Sequence, residues 1–376
     1  MKICHVTSAH NTLDDRIFVR ECTSLAKKRE NKVFIVGPGE DVLENGVIII
    51  GCGEKPGSRI KRTFFYTFKV VKKALELNAD IYHIHDPELL LFAMHFKRKG
   101  KKVIYDSHEF YRAQILTKTY IPFLFRKIIA TSFGSYENYV AKRIDAVIFP
   151  CKIDGKHPFE GIAKRCCFID NRPTFDEFPE ESSTSYDKNN KYVCCAGGLS
   201  EARGIETLVE ACYIANTPLV LAGSFSSEAF KNKILGKKEF EIVDYRGQCS
   251  REEVRDIYKK AYLGVSNILW EGQYPYIENL PTKVYEYMMM SLPFIISDFP
   301  YSKHIVEKNQ CGIAVNPGDP VEIANSIIKL VQDEKLATEM GKKGKQLVVE
   351  QLNWNNEEQK LYELYESIVF NKNNAI

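Results

Sequence analysis

Residues 278–286 read Glu-Asn-Leu-Pro-Thr-Lys-Val-Tyr-Glu, and 287–297 continue as YMMMSLPFIIS. Glu278 falls in a loop, and Pro281 suits the first turn of a helix expected over 281–291. The apolar run 293–297 has the length and branching of a buried strand, and a similar run, 262–267 (YLGVSN), precedes the motif. Strand, loop, helix and strand make one step of a parallel sheet. Loops that follow strands in such sheets are where ligands bind. A helix N-terminus there is a ready anion site. A glutamate beside it accepts hydrogen bonds from sugar or ribose hydroxyls. Glutamates eight positions apart are common in themselves; the strand–helix–strand setting gives this pair its weight.

The same alternation extends in both directions. Strands are expected at 2–7, 33–37, 81–85, 103–107 and 145–150, then at 191–196, 218–222, 240–245, 262–267, 293–297 and 312–315, with helical stretches between them. The runs are continuous rather than alternating, as for parallel strands covered on both faces. The expected class is α/β, with doubly wound Rossmann-like sheets. The polar stretch 171–190, with Pro173 and Pro179, reads as a linker. At 376 residues the chain has room for two domains. We expect a domain over 1–170, the linker 171–190, a second domain over 191–352, a cleft between the two, and a terminal helical segment over 353–376. In that segment Trp354, Leu361, Leu364, Tyr365 and Ile368 form an apolar face.

With 44% hydrophobic and 27% charged residues, the composition excludes disordered, collagen-like and low-complexity chains. No apolar run reaches the ~18–20 residues that cross a bilayer, and the N-terminal stretch is not expected to be a signal peptide. Eleven scattered cysteines, including Cys166-Cys167 and Cys194-Cys195, suggest reduced, buried thiols in a cytoplasmic protein. The net charge of +3 hides an asymmetry. Residues 1–170 hold 29 Lys and Arg against 19 Asp and Glu, and the remainder hold 23 against 30. Such a bias suits an anionic partner for the first half. An accidental surface bias is the plainer alternative.

A second motif is Gly197-Gly198-Leu-Ser-Glu-Ala-Arg203-Gly204-Ile-Glu-Thr-Leu208, which follows one expected strand and opens a helix. Glycines let the backbone approach a phosphate, and Arg203 adds charge at the same place. The plainer alternative is a glycine-rich turn with a surface arginine. The pattern is not G-x-G-x-x-G, so a nicotinamide dinucleotide site is discounted.

Taken together, these stretches resemble the retaining nucleotide-sugar transferases of glycosyltransferase family 4, which have the GT-B fold: two doubly wound Rossmann-like domains facing each other across a cleft. The likeness is most specific from Cys194 to Trp354, through GGLSEARGIETLVEA, YRGQCSREEVRDIYKKAYLGV, the Glu278/Glu286 motif, CGIAVNPGDPVEIANSI and LNW. It is looser in VTSAHNTLDDRIFVRE, HIHDPELL and VIYDSHE. The resemblance implies that Glu286 holds the nucleotide ribose, and that Glu278, with Asn279 and Leu280 beside it, faces the transferred sugar. It implies that Arg203, with Gly197 and Gly198, binds the diphosphate. His108 would touch the donor sugar from the opposite domain. The turn Ser8, Ala9, His10, with Asp15 and Arg16 following, would lie near the diphosphate and acceptor. In this family the final helix crosses back to brace the first domain. The base would be selected near Tyr245–Cys249.

One departure stands out. Gly198 occupies the position where the family usually has an arginine, and Lys283 is the candidate to supply the missing cation. Its plainer alternative is a solvated lysine. The chain has no Asp-x-Asp, the motif of metal-dependent transferases, so no metal and no cofactor are expected beyond a UDP- or GDP-sugar as donor substrate. His83-x-His85-Asp86 could converge as ligands, but a core or cleft-lining role fits its spacing better.

The implied activity is a retaining, metal-independent hexosyl- or N-acetylhexosaminyl-transferase acting on a saccharide or lipid-linked acceptor in cell-surface polysaccharide or glycoconjugate biosynthesis. A GT-B nucleotide-sugar epimerase and a non-enzymatic two-lobed sugar-binding protein are the alternatives. Two stretches rich in aromatic and basic residues, 59–73 and 115–133, suit peripheral contact with an anionic membrane at the cytoplasmic face. Core-facing helices with a basic edge are the alternative. No nucleic-acid motif is present.

Overall fold

The computed structural model describes residues 1–117, 121–177 and 191–370. The chain divides into two compact units, Met1–Asn171 with Trp354–Ile376, and Arg172–Asn353. Most of the expected linker, 178–190, lies outside the described residues.

Among the described residues, the first unit is built on β1 (Lys2–Val6), β2 (Lys32–Gly37), β3 (Val42–Glu44), β4 (Val47–Gly51), β5 (Ile81–Ile84), β6 (Lys102–Asp106), β7 (Ala146–Phe149) and β8 (Cys166–Phe168). Their order is β3-β4-β2-β1-β5-β6-β7-β8, parallel except for the antiparallel pair β3–β4. The chain winds one way from β1 and the other way from β5. The switch point therefore lies between these two strands, and the loops beyond their carboxyl ends open there.

Three of these strands were not anticipated. β3 and β4 form a hairpin closed by Asn45 and Gly46, both at positive φ (48° and 77°), the backbone that an Asn-Gly turn adopts. β8 is a short edge strand. Cys166 at its start is exposed and Cys167 half-buried, so this pair departs from the expectation of buried thiols; all eleven cysteines are free. The helix Trp354–Val369 lays Trp354, Leu361, Leu364, Tyr365 and Ile368 into the same core as Ile3, Ile17, Val33 and Ile81. Trp354 donates from Nε1 to Ser24 Oγ at 2.8 Å.

The second unit has β9 (Val193–Ala196), β10 (Leu219–Ala222), β11 (Val243–Tyr245), β12 (Leu263–Ser266), β13 (Phe294–Ser297) and β14 (Ile313–Val315), all parallel, in the order β11-β10-β9-β12-β13-β14. Successive residues face opposite sides of the sheet. Val193 and Cys195 join one core with Leu208 and Ile327, while Cys194 and Ala196 join another with Val284 and Met288. The switch point here is between β9 and β12. The expected strand 240–245 is shorter, because Lys238–Ile242 forms a 3-10 turn before β11. Among the described residues no helix is long and apolar enough to cross a membrane.

Candidate active site

In the first unit, the loops after β1, β5 and β6 bring together Ser8, Ala9, His10, Asp86 and His108. Asp86 is fully buried and accepts at Oδ2 from Thr7 Oγ1 at 2.8 Å, Ser8 N at 2.5 Å and Ala9 N at 3.0 Å. Its Oδ1 lies 2.8 Å from His10 Nδ1. Burial alone would raise the Asp86 pKa, but His10 and the Ser8 and Thr7 donors outweigh it and hold the carboxyl well below its ordinary range. The same pairing raises the His10 pKa, although burial opposes it. His10 packs its ring 4.7 Å from that of His108. Around the turn, Glu88 accepts from Arg62 Nε at 2.9 Å and from Ser8 Oγ at 3.3 Å.

Arg16 departs from its expected place near a diphosphate. It is buried, and its guanidinium binds Asp106 through Nε (2.7 Å) and Nη2 (2.9 Å) and donates from Nη1 to Ile169 O and Asn171 Oδ1. Asp15 opens the π-wound helix Asp15–Cys22, whose N-cap is Asp14, accepting from the Arg16 and Ile17 amides.

Behind this surface lies a buried group: His5, Glu21, His83 and His85, with donor atoms within 4.8 Å of one another; His85, Asp106 and His108 form a second such set. The His83 and His85 rings stack at 4.5 Å, and those of His5 and His85 at 5.1 Å. The facing nitrogens of His5 and His85 meet at 2.9 Å, a hydrogen bond between imidazoles rather than two lone pairs aimed at one ion. Desolvation first, then the neighbouring imidazoles, lowers the pKa of His5 and His83 far below the usual histidine range, and His85 is lowered to about 4 mainly by burial. Burial and the charge of Asp106 raise the Glu21 pKa strongly.

In the second unit, Gly197 follows β9 at φ +118°. A Cβ at Gly223 would stand 1.8 Å from Gly197 O, so the two backbones meet only because residue 223 is glycine. Arg203 is half-buried in the turn that follows, and Gly204 (φ +57°) starts the helix Ile205–Ile214 without a side-chain cap. Asn267, beyond β12, donates from Nδ2 to Gly204 O at 3.1 Å and ties the two loops together.

The motif that opened the sequence reading folds as a loop and the helix Thr282–Met289, which also begins without a side-chain cap. Lys283 is buried, with Nζ 3.5 Å from Cys195 Sγ and 3.7 Å from where a Cβ on Gly197 would stand. It is thus not the solvated lysine considered above. Glu286 is half-buried and accepts from Tyr258 Oη at 3.1 Å. Glu278 and Asn279 are half-buried in the loop, and Leu280 is buried below them. Gly198 lies beside Arg203, whose Nε would be 3.7 Å from a Cβ there. Gly197, Gly198, Arg203 and Lys283 therefore gather at its switch point, while Glu278, Asn279 and Glu286 lie on the loop and helix that carry Lys283. Sequence reasoning missed Asp106 as the partner of Arg16, and holds Asp86 only within His83-x-His85-Asp86 and the HIHDPELL stretch. The available signal was a carboxylate at, or just beyond, the carboxyl end of a parallel strand.

Residues 16–157 match the family Glycosyltransferase Family 4, and residues 177–347 match Glycosyl transferases group 1. No curated protein matches the chain in sequence. Among solved structures, sucrose-phosphate synthase from Thermosynechococcus elongatus is similar with a TM-score of 0.75 at 16% identity, covering 99% of this chain and 100% of that one. A glycosyltransferase from Rickettsia africae gives 0.72 at 15%, covering 99% of both chains. HepE from Anabaena, in complex with UDP and glucose, gives 0.71 at 14%, covering 98% and 100%. At these identities the likeness is one of fold, and it is to GT-B proteins. The two family matches span most of the sequence, and the chain belongs to the group 1 glycosyltransferases of the family 4 type.

Proposed function

We propose that the chain transfers a hexosyl or N-acetylhexosaminyl group, with retention, from a UDP- or GDP-sugar to a saccharide or lipid-linked acceptor in cell-surface polysaccharide or glycoconjugate synthesis. Lys283 carries this reading. Its ammonium is buried against the Gly197 turn and has no carboxylate partner among the described residues. A buried charge is costly unless paired, and a diphosphate is the natural counterion. Two uncapped helix N-termini, at Ile205 and Thr282, offer further N–H groups to it. HepE, one of the structural neighbours, was crystallised with UDP and with UDP-glucose, which makes uridine donors the first to test.

In this mechanism the glycosidic bond to the diphosphate breaks as the acceptor oxygen attacks the same face. Negative charge grows on the leaving phosphate, which takes the acceptor proton. Arg203 and Lys283 stabilise that charge without a divalent ion, Glu286 anchors the ribose, and Glu278 and His108 orient the hexose. Catalysis is then positioning plus preorganised electrostatics.

Peripheral contact with an anionic membrane is part of the proposal. On the helical segment 59–76, Ile60, Phe64, Phe65 and Phe68 are exposed beside Lys61 and Arg62, and on the helix Phe123–Ala141, Phe123, Leu124, Phe125 and Ile128 are exposed beside Arg126 and Lys127. Exposed phenylalanines amid cations suit a lipid interface. Of the second stretch, residues 118–120 lie outside the described residues.

The reading is tested by incubating the chain with UDP- and GDP-hexoses, with and without saccharide acceptors. Release of nucleoside diphosphate with glycoside formation supports it. An epimerised sugar nucleotide from donor alone would favour the epimerase.

A further inference from the structure

Five of the eight histidines, His5, His10, His83, His85 and His108, lie in one cluster of ring contacts in the first unit. The proton positions on four of them follow from one fixed partner. Arg16 is a permanent cation whose fork fits a carboxylate, and its Nε and Nη2 grip both oxygens of Asp106. Burial works against the Asp106 charge, but Arg16 and His108 outweigh it and hold the carboxyl ionised. An ionised carboxylate only accepts hydrogen bonds.

His108 Nε2 lies 3.1 Å from Asp106 Oδ2, and His85 Nδ1 lies 3.4 Å from the same oxygen. His108 Nε2, the closer of the two, must then carry its hydrogen; a hydrogen on His85 Nδ1 as well lets two N–H groups, 3.2 Å apart, share Oδ2. With its proton on Nδ1, His85 accepts at Nε2 from His5 Nδ1, 2.9 Å away. His5 Nε2 then accepts from the Tyr365 hydroxyl at 3.3 Å, whose oxygen accepts from His83 Nδ1 at 2.8 Å. The series ends on His83 Nε2, a buried nitrogen without a hydrogen-bond partner among the described residues. This assignment gives the His85–His5, His5–Tyr365 and Tyr365–His83 links one donor and one acceptor each, leaves the His85–His108 contact between two donors that share Oδ2, and keeps the three fully buried imidazoles uncharged.

We propose that Arg16, Asp106 and His85 are positioning residues for sugar transfer: they lock His108 as the Nε2–H tautomer, so that Nδ1 presents a lone pair to a hydroxyl of the donor sugar. The role in transfer rests on the reading that His108 faces the donor; the tautomer itself does not. The proposal also explains why Arg16 lies inside the unit. It acts on the imidazole through Asp106, not on the diphosphate.

Long-range proton–nitrogen correlation spectra of the 15N-labelled full chain read the tautomer directly, with His108→Gln identifying the His108 signals. The wild type is expected to show Nε2–H at His108. Asp106→Asn can present an amide N–H to Nε2, and is expected to move the proton to Nδ1. The expected fall in kcat is on the order of 10²–10⁴-fold, by analogy with a catalytic imidazole held in the wrong tautomer, with donor KM little changed. Asp106→Glu, which keeps the carboxylate, is expected to restore the Nε2–H form and part of the rate. An Nδ1–H form in the wild type overturns the proposal, and that spectrum decides even if Asp106→Asn fails to fold. A flipped tautomer with undiminished kcat overturns the role in transfer. Absence of turnover with every nucleotide sugar would instead overturn the functional reading, and the spectrum would still report on the positioning geometry.

Discussion

Arg16 and Asp106 are 90 residues apart in sequence and form a two-point ion pair inside the first unit, Nε to Oδ2 at 2.7 Å and Nη2 to Oδ1 at 2.9 Å. Neither charge has solvent to fall back on: Arg16 is 4% exposed and Asp106 fully buried. Removing Arg16 leaves the buried Asp106 carboxylate with only His108 and His85 at Oδ2, without its permanent cation. Arg16→Met is therefore expected to lower unfolding stability by about 3–5 kcal/mol, measured as a lower urea midpoint at pH 7. Arg16→Lys should recover only part of the loss, because an ammonium cannot span both oxygens.

Lys283 and Arg203 are expected to act on the leaving diphosphate. Lys283→Ala should lower kcat/KM by roughly 10²–10³-fold, the effect of losing one preorganised donor at a developing charge. Arg203→Ala should lower kcat more than it raises donor KM. Steady-state kinetics over a range of donor concentrations separates the two parameters. Unchanged turnover in Lys283→Ala would show that Lys283 does not replace the cation absent at Gly198.

Glu137 ties stability to pH. Burial raises its pKa from 4.5 to about 7, although the Tyr105 hydroxyl, 3.0 Å away, partly opposes the shift. The folded state therefore holds this proton more tightly than the unfolded chain. The associated stability is present below about pH 4.5, declines as pH rises toward 7, and is gone above that. The decline amounts to roughly 3 kcal/mol from this group alone. Glu137→Gln should flatten that part of the profile, measured by urea unfolding at pH 5 and pH 8. An unaltered difference between the two pH values would count against it.

The exposed apolar residues of segment 59–76 give a separate prediction. Flotation with anionic liposomes at low salt should carry the wild-type chain upward and leave a Phe64→Ser, Phe65→Ser variant in the lower fractions. Neutral liposomes should recruit less of either. Wild-type protein that stays below with anionic lipid would remove the membrane from the account.

Local pattern made most of the parallel strands legible, since buried strands in such sheets are continuous apolar runs. The hairpin β3–β4 is absent from the expected strands although Asn45-Gly46 marks its turn, because β3 is three exposed residues with no apolar run of its own. The glycine turn and the Glu278–Glu286 motif were legible because each lies within a dozen residues. The Arg16–Asp106 pair and the Thr7–Asp86 contact, across 79 residues, were not. Only the adjacency of β1 with β5, and of β5 with β6, brings those groups together. Arg16 is expected near the diphosphate and acceptor because a partner 90 residues away lies beyond any local pattern.

The central claim is that the second unit binds a nucleoside-diphosphate sugar at the turn Gly197–Arg203 and the helix carrying Lys283 and Glu286. Backbone amide shifts in labelled protein, titrated with UDP- and GDP-hexoses, test it most directly. The account predicts saturable shifts at Gly197, Gly198, Arg203, Lys283 and Glu286 with at least one of these donors, weakened in Lys283→Ala. Shifts confined to the first unit, or none with any nucleotide sugar, would contradict it.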